Sequence, residues 1–340
     1  MNSVAQIRIR KANNAPVNPK GDFVLYWMTA YRRIHWNFSL DRAVSRAKEM
    51  DKPLVILEAL RCCYDWASDR FHRFILDGMA DNARQLKKNR VLYYPYVEPF
   101  PDADKGLIQA LGRRACVVVT DDYPAFFLPR MVASASKKLG VLVEQVDSNG
   151  LLPMRAADQA FSTAYAFRRF LQKHLPSYIF EHPKAEPLKG LKIKRLNSLP
   201  EEIIKRWPPA SPGLLEGDAG SLSSLPIDHK VGVTEESGGP VHAQRALKGF
   251  LEDRLPYYAE SRNQPEEEGP SGLSPYLHFG HISAHDIFHQ IMEKENWFFD
   301  SLSKTARGNR AGWWGMSQSS EAFLDQLITW RELGFNMCSQ

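Results

Sequence analysis

Residues 258–280 read Tyr-Ala-Glu-Ser-Arg-Asn-Gln-Pro-Glu-Glu-Glu-Gly-Pro-Ser-Gly-Leu-Ser-Pro-Tyr-Leu-His-Phe-Gly and contain the signals that decide the fold of the second half. Ser274 followed by Pro275 predicts a helix start. A serine hydroxyl caps free backbone N–H groups, and proline lacks the N–H that this position does not need. Gly280 is typical of the residue after a helix end.

The residues before this helix have the chemistry of an anion-binding loop. Ser271 supplies a hydroxyl, and Gly272 allows a ligand to approach the backbone beside the positive end of a helix dipole. The pattern therefore predicts a phosphate site at residues 270–274. A surface loop with a helix cap and no ligand has the same pattern, so that alternative stays open.

Two motifs together resemble one protein family. They are Ser-Gly-Leu-Ser-Pro-Tyr-Leu-His-Phe-Gly at 271–280 and Trp-Arg-Glu-Leu at 330–333. In this combination the sequence is similar to the DNA photolyases and cryptochromes, and most of all to the class II cyclobutane-pyrimidine-dimer photolyases. The resemblance covers nearly the whole chain. It implies light-dependent repair of cyclobutane pyrimidine dimers in DNA by electron transfer from reduced FAD. The alternative is a cryptochrome-like flavin photosensor or an inactive, truncated photolyase homologue without repair activity.

The resemblance also implies roles for individual residues. Tyr258 would contact the flavin, and Arg262 would contact DNA phosphate unless it pairs with Glu260 or Glu266. The FAD diphosphate would be held by the loop residues Ser271, Gly272, Leu273 and Ser274.

The Trp-Arg-Glu motif supplies the expected lesion pocket. Trp330 and Arg331 would line the pocket for a dimer flipped out of the duplex, where bases stack on aromatic rings. Trp330 shares a helical face with Phe323 and Leu327, so a place in the core is the alternative.

The sequence departs from the family pattern at two points. The family usually has a catalytic glutamate where this chain has Gln326, and glutamine cannot supply a proton. Asp325 lies about 100° away around an α-helix and is a poor geometric substitute. Family members also continue well beyond the Trp-Arg-Glu helix, so the resemblance implies an incomplete FAD-binding domain.

The first half alternates apolar strands with amphipathic helices, which predicts a parallel sheet covered on both faces. The strands are predicted at 23–28, 53–57, 91–97, 115–120 and 141–146. No glycine-rich nucleotide-binding motif is present. The resemblance implies an antenna domain here, and the identity of any second chromophore stays open. Asp121 and Asp122 at a strand end predict a turn cap rather than a metal site.

We therefore predict an α/β parallel-sheet antenna-type domain followed by an all-α FAD-binding-type helical domain. Residues 1–20 are expected to form a flexible tail and 21–175 the α/β domain. Residues 176–239, rich in Pro, Gly and Ser, are expected to be a linker with one short helix. Residues 240–340 would form the first part of the helical domain.

Composition limits the function classes. Of 340 residues, 44% are hydrophobic and 24% charged, which is typical of a globular protein, and no apolar run is long enough for a membrane helix. The four cysteines have no metal-binding spacing, so no metal is expected. The net charge of +5 slightly favours a polyanion such as DNA. We expect a monomer in the cytoplasm, associated with DNA in the nucleoid or the nucleus.

Overall fold

The computed structural model describes residues 4–340 and contains one six-stranded mixed sheet. Its strand order is β1-β6-β5-β2-β3-β4, in which β1 is antiparallel to β6 and the other neighbours are parallel. The strands are β1 (Ile9–Lys11), β2 (Phe23–Met28), β3 (Leu54–Leu60), β4 (Leu92–Val97), β5 (Ala115–Asp121) and β6 (Val143–Val146). The five predicted strands are confirmed to within a few residues.

Helices cover both faces of this sheet. The helices of the first half are α1 (Phe38–Glu49), α2 (Asp69–Leu86), α3 (Leu107–Arg114) and α4 (Leu128–Ser136). On β2, Val24, Tyr26 and Met28 pack into the cluster that includes α1. The intervening residues Phe23 and Leu25 pack into the cluster that includes α3 and α4. This alternation explains why all six residues of β2 are buried.

An additional edge strand lies within the segment expected to be a flexible tail. β1 pairs with β6 through Ile9 and Val146, and the preceding Arg8 is fully buried. The Arg8 guanidinium donates hydrogen bonds to the carbonyls of Gly150 and Leu151, at 3.2 and 2.7 Å. This corrects the expectation for the described part of residues 1–20, because three residues are too few to show a strand period. Residues 1–3 lie outside the described part.

The predicted linker is packed along the α/β half. It contains α6 (Glu201–Arg206), α7 (Pro212–Glu216) and α8 (Ala219–Ser223), rather than one short helix. Its apolar residues join three core clusters, with Leu191 on the α1 side, Ile203 on the α3 side and Leu222 against α2. Isolated apolar residues between prolines lack helical periodicity, which is why the sequence did not indicate this packing.

Residues 151–340, all of them described, contain helices and no strand. Besides α6, α7 and α8, the helices are α5 (Ala164–His174), α9 (Pro240–Gly249), α10 (Tyr258–Ser261), α11 (Ser274–His278), α12 (Ala284–Lys294), α13 (Gln318–Leu324) and α14 (Arg331–Ser339). Two π-helical turns interrupt this half, Phe250–Arg254 after α9 and Asp325–Trp330 between α13 and α14. We call them the first and the second π turn.

The two halves share buried hydrogen bonds. The Arg33 guanidinium donates to the Gly280 carbonyl at 3.0 Å. Within the helical half, the Gly239 N–H donates to Nδ1 of His281 at 2.9 Å, and burial lowers the pKa of His281 to about 3. The Val241 N–H donates to the Asp81 carboxylate at 3.0 Å, so α9 starts directly on α2. These contacts fix the start of α9 and the end of α11 relative to the sheet half.

Candidate functional site

The predicted phosphate loop has a defined conformation. The Ser271 hydroxyl accepts a hydrogen bond from the Leu273 N–H at 3.3 Å, and Gly272 adopts a left-handed conformation with φ of 71°. Ser274 is the first residue of α11, and Leu273 is the N-cap without a side-chain cap bond. The helix start is confirmed, whereas the capping role expected of Ser274 is wrong. Its exposed hydroxyl is therefore free for other contacts.

The end of α11 confirms the role expected of Gly280. Its φ is 74°, and the His281 N–H donates to the Tyr276 carbonyl at 2.8 Å, as in a Schellman ending. An added Cβ at this position would lie 1.9 Å from the Ala30 carbonyl oxygen. Only glycine therefore allows α11 to dock against the segment that follows β2.

Arg254 holds the loop and was missed in the sequence. Its guanidinium donates to the carbonyls of Pro270 and Ser271, at 3.0 and 3.3 Å. An added Cβ on Gly272 would lie 3.7 Å from Nη1 of Arg254, so the glycine leaves space beside a positive charge. The sequence gives no signal for this contact. Arg254 lies sixteen residues before Pro270, and the direction of its side chain depends on the first π turn.

Tyr258 lies in an aromatic group between the two π turns. Its ring packs edge-on against Phe250 and Phe323, with ring centroids 5.6 and 5.3 Å apart, and only 7% of the residue is exposed. Burial raises the pKa of Tyr258, and the neighbouring Arg262 lowers it in part. The flavin contact predicted for Tyr258 stays a prediction.

Arg262 is half-buried beside Tyr258 at the end of α10. Within the described residues it forms no ion pair with Glu260 or Glu266, which was the alternative for this residue. Its predicted contact with DNA phosphate is untested.

A buried ion pair holds the second π turn. Arg168 of α5 donates to both carboxylate oxygens of Asp325, at 2.7 and 3.0 Å, and both residues are buried. Asp325 therefore points into the protein and has a full set of partners. This placement is a second reason to expect Asp325 to be a poor substitute for the glutamate that the resemblance implies.

Gln326 and Trp330 lie on the same turn. Gln326 is half-buried, and its side-chain amide forms no hydrogen bond with other residues of the described chain. Trp330 has 45% of its surface exposed, so it lies outside the core. An exposed indole and an amide with no partner of its own are available to a ligand that stacks and forms hydrogen bonds.

Arg331 and Glu332 bind the segment after β6. The Arg331 guanidinium donates to the Asn149 carbonyl at 2.5 Å and lies 4.6 Å from the Phe335 ring centre. The Glu332 carboxylate accepts from the N–H groups of Leu151 and Leu152, at 2.7 and 3.2 Å. The structure therefore places Arg331 on a backbone carbonyl rather than on the surface beside Trp330. Its predicted place in a DNA pocket stays a prediction.

Burial raises the pKa of Glu332 to about 7, although the two N–H donors and Arg331 oppose this shift. A cavity beside this carboxylate is lined by Gly150, Met154, Phe167 and Asn336, among other residues. The last residue of the Trp-Arg-Glu motif thus connects α14 to the end of the sheet.

Asp121 and Asp122 have structural roles, as expected. Asp121 accepts hydrogen bonds from the N–H groups of Thr29, Ala30 and Tyr31, which caps the turn after β2. Asp122 pairs with Arg10 and Arg155 at 2.8 and 2.6 Å. Residues 4–340 bring together no group of three or more His, Cys, Asp or Glu side chains suited to a metal ion. No helix in this range is long and apolar enough to cross a membrane.

No protein-family model matches the chain. The chain is 28% identical over 330 residues to the deoxyribodipyrimidine photo-lyase of Methanothermobacter thermautotrophicus, covering 97% of this chain and 64% of that protein. It is 27% identical over 338 residues to the Arabidopsis thaliana protein of the same name, covering 98% and 62%. The chain therefore spans about three fifths of these curated relatives.

Solved structures show the same fold. A bacterial class III photolyase from Agrobacterium tumefaciens matches 94% of this chain and 59% of its own, with a TM-score of 0.63 and 18% identity. A Synechocystis cryptochrome matches 93% of this chain and 61% of its own, with a TM-score of 0.62 and 15% identity. The chain thus has the fold of photolyases and cryptochromes and is similar in sequence, over nearly its whole length, to proteins named deoxyribodipyrimidine photo-lyase.

Proposed function

We propose that this chain belongs to a class II-type photolyase that binds FAD and repairs cyclobutane pyrimidine dimers in DNA in the light. One observation carries the proposal. Trp330 is exposed beside the half-buried Gln326, on a turn that a buried ion pair holds in place. The name shared by the curated relatives supports the same activity. We expect a monomer that acts on ultraviolet-damaged DNA.

The loop before α11 fits the diphosphate of FAD. Ser271 and Ser274 offer hydroxyls, Gly272 leaves space for a phosphate oxygen, and Arg254 supplies a positive charge beside that space. Leu273 is fully buried, so only its backbone could take part. Tyr258, Phe250 and Phe323 form the apolar wall next to this loop. A reduced flavin bound there would supply the electron that opens the cyclobutane ring.

The lesion would bind at the second π turn. A flipped dimer would stack on the Trp330 indole, and base stacking on an aromatic ring contributes about 1–3 kcal/mol. Gln326, four residues earlier, would donate a hydrogen bond to a pyrimidine carbonyl. An amide stabilises a developing negative charge by this bond but has no proton to give, so we expect slow repair.

The test is the light-dependent loss of one thymine dimer from an oligonucleotide, with the chain reconstituted with FAD and kept reduced. We expect repair that needs blue light, and faster repair by Gln326→Glu, because a carboxyl group restores the residue typical of the family. The control is Gln318→Glu, the same change at an exposed position on α13. Absence of repair by both the wild type and Gln326→Glu would contradict the proposal.

A flavin photosensor is the second candidate function, because Gln326 lacks an acidic proton and a cryptochrome shares the fold. A sensor predicts a stable change in the flavin absorption spectrum after illumination and no loss of dimers. Dimer loss during the same illumination would exclude this candidate as the sole function.

A further inference from the structure

Two adjacent cysteines lie at the edge of the sheet where the parallel strands β3 and β4 end. Cys62 and Cys63 follow β3, and Glu98 follows β4. The Glu98 N–H donates to the Leu60 carbonyl at 2.9 Å, which joins the two strand ends. Neither cysteine takes part in the chemistry proposed above.

The Glu98 carboxylate holds both thiols. The Cys62 and Cys63 thiols donate to the same oxygen, Oε2, at 3.4 and 3.5 Å, and the Cys62 N–H donates to it at 3.0 Å. Glu98 is fully buried, and its other carboxylate oxygen, Oε1, has no hydrogen-bond partner among residues 4–340. A buried oxygen without a partner is uncommon in proteins. The carboxylate therefore has a free acceptor position beside the two sulfurs.

The two thiols differ in access to solvent. Cys63 is exposed, and Nη2 of Arg61 donates to its sulfur at 3.2 Å. Only 3% of Cys62 is exposed, and burial, followed by the Glu98 charge, raises the pKa of this thiol to about 12. Reactive cysteines are partly exposed and lie beside cations, whereas buried cysteines are inert toward reagents in solution. Cys63 is therefore the thiol that an oxidant meets first.

We propose that Cys62 and Cys63 form a peroxide-sensitive dithiol that oxidises reversibly to a disulfide. The Cys63 sulfur attacks one oxygen of hydrogen peroxide, and the O–O bond breaks. The second oxygen leaves as water with the Cys63 proton, so Cys63 becomes a sulfenic acid. The Cys62 sulfur then attacks the Cys63 sulfur, an S–S bond forms and the S–O bond breaks. Glu98 accepts the Cys62 proton and passes it to the departing hydroxide, which leaves as a second water.

The geometry favours a disulfide that is easily reduced. Consecutive Cα atoms lie about 3.8 Å apart across a trans peptide bond, whereas a relaxed disulfide joins Cα atoms about 4.4–6.8 Å apart. Strained and exposed disulfides are the labile and regulatory ones, so a dithiol reductant would return the two electrons and restore both thiols. No flavin, DNA or light takes part, so this inference is independent of the proposed function.

Peroxide treatment of the reduced full chain, followed by a thiol count and mass spectrometry of the tryptic peptide 62–70, tests the pair. We expect the wild type to lose two of its four thiols, with a peptide that lacks two hydrogen atoms, and to regain both with dithiothreitol. Cys62→Ser should instead leave a sulfenic acid on Cys63 that dimedone labels. Cys63→Ser should keep the Cys62 thiol at the same peroxide dose. The matched control is Cys338→Ser, which removes the other exposed cysteine and should leave the oxidation of the pair unchanged.

Three outcomes would overturn the inference. In the first, peroxide oxidises Cys338 in the wild type and leaves both thiols of peptide 62–70 intact. In the second, the wild type accumulates a sulfenic acid on Cys63 as fully as Cys62→Ser does, which would mean that Cys62 does not attack it. In the third, a non-reducing gel shows that Cys63 forms its disulfide with a second chain.

Discussion

The two π turns of the helical half have the same backbone irregularity but end in side chains of different chemistry. The first, Phe250–Arg254, is packed by the buried Phe250 and Leu251 and ends in a cation that holds the predicted phosphate loop. The second, Asp325–Trp330, is held by a buried ion pair and ends in an exposed indole. The Phe250 ring of the first turn lies 4.6 Å from the ring of Phe323 on α13, the helix that leads into the second turn.

The second turn is the reason that Trp330 is not in the core. On a continuous α-helix, Trp330 would share the buried face of Phe323 and Leu327, both of which are buried here. A π turn adds one residue to the helical turn and rotates the next residues about the helix axis, so the indole leaves that face. π turns are frequent at functional sites, and the two turns here lie beside the predicted cofactor and lesion sites.

The largest expected effect is on the buried ion pair that holds the second turn. Arg168→Ala leaves the Asp325 carboxylate buried without its partner, which destabilises a protein by about 3–5 kcal/mol. Chemical denaturation should show this loss of unfolding free energy.

The control for this pair is Lys205→Ala, which removes an exposed pair with Glu201 on α6 and should cost less than about 1 kcal/mol. Similar losses for Arg168→Ala and Lys205→Ala would mean that the second turn does not depend on the pair. The second turn would then not differ from the first in being held by a buried ion pair.

A pH-dependent effect of intermediate size is expected at Glu332, which follows the second turn. Its pKa is about 7 in the folded protein, above the usual value of 4.5, so the folded state binds the proton more tightly. Its contribution to stability is full below about pH 4.5 and is lost as the pH rises through 7, by about 3 kcal/mol. The difference in unfolding free energy between the wild type and Glu332→Gln should therefore shrink between pH 5 and pH 8. A constant difference would contradict the raised pKa.

The sequence predicted the parts of the fold that depend on regular periods. The five parallel strands are continuous apolar runs, and Gly280 marks the end of α11, where its φ is 74°. Trp330 could be selected from its motif, but its exposure depends on a π turn that leaves the apolar spacing unchanged. Arg254 and Arg168 form hydrogen bonds with partners 16 and 157 residues away, and no local sequence pattern indicates such contacts.

The smallest effect is expected on FAD affinity, from a change at Arg254. It tests the role of the first turn directly. Arg254→Ala removes two partly exposed hydrogen bonds to the phosphate loop and the positive charge beside Gly272. If this loop holds the FAD diphosphate, fluorescence titration with FAD should show about a tenfold to hundredfold weaker affinity. Arg245→Ala, the same change at an exposed position on α9, should leave the affinity unchanged. Equal affinities of the two variants would mean that the first turn serves packing alone, so that only the second turn of the pair would carry a ligand site.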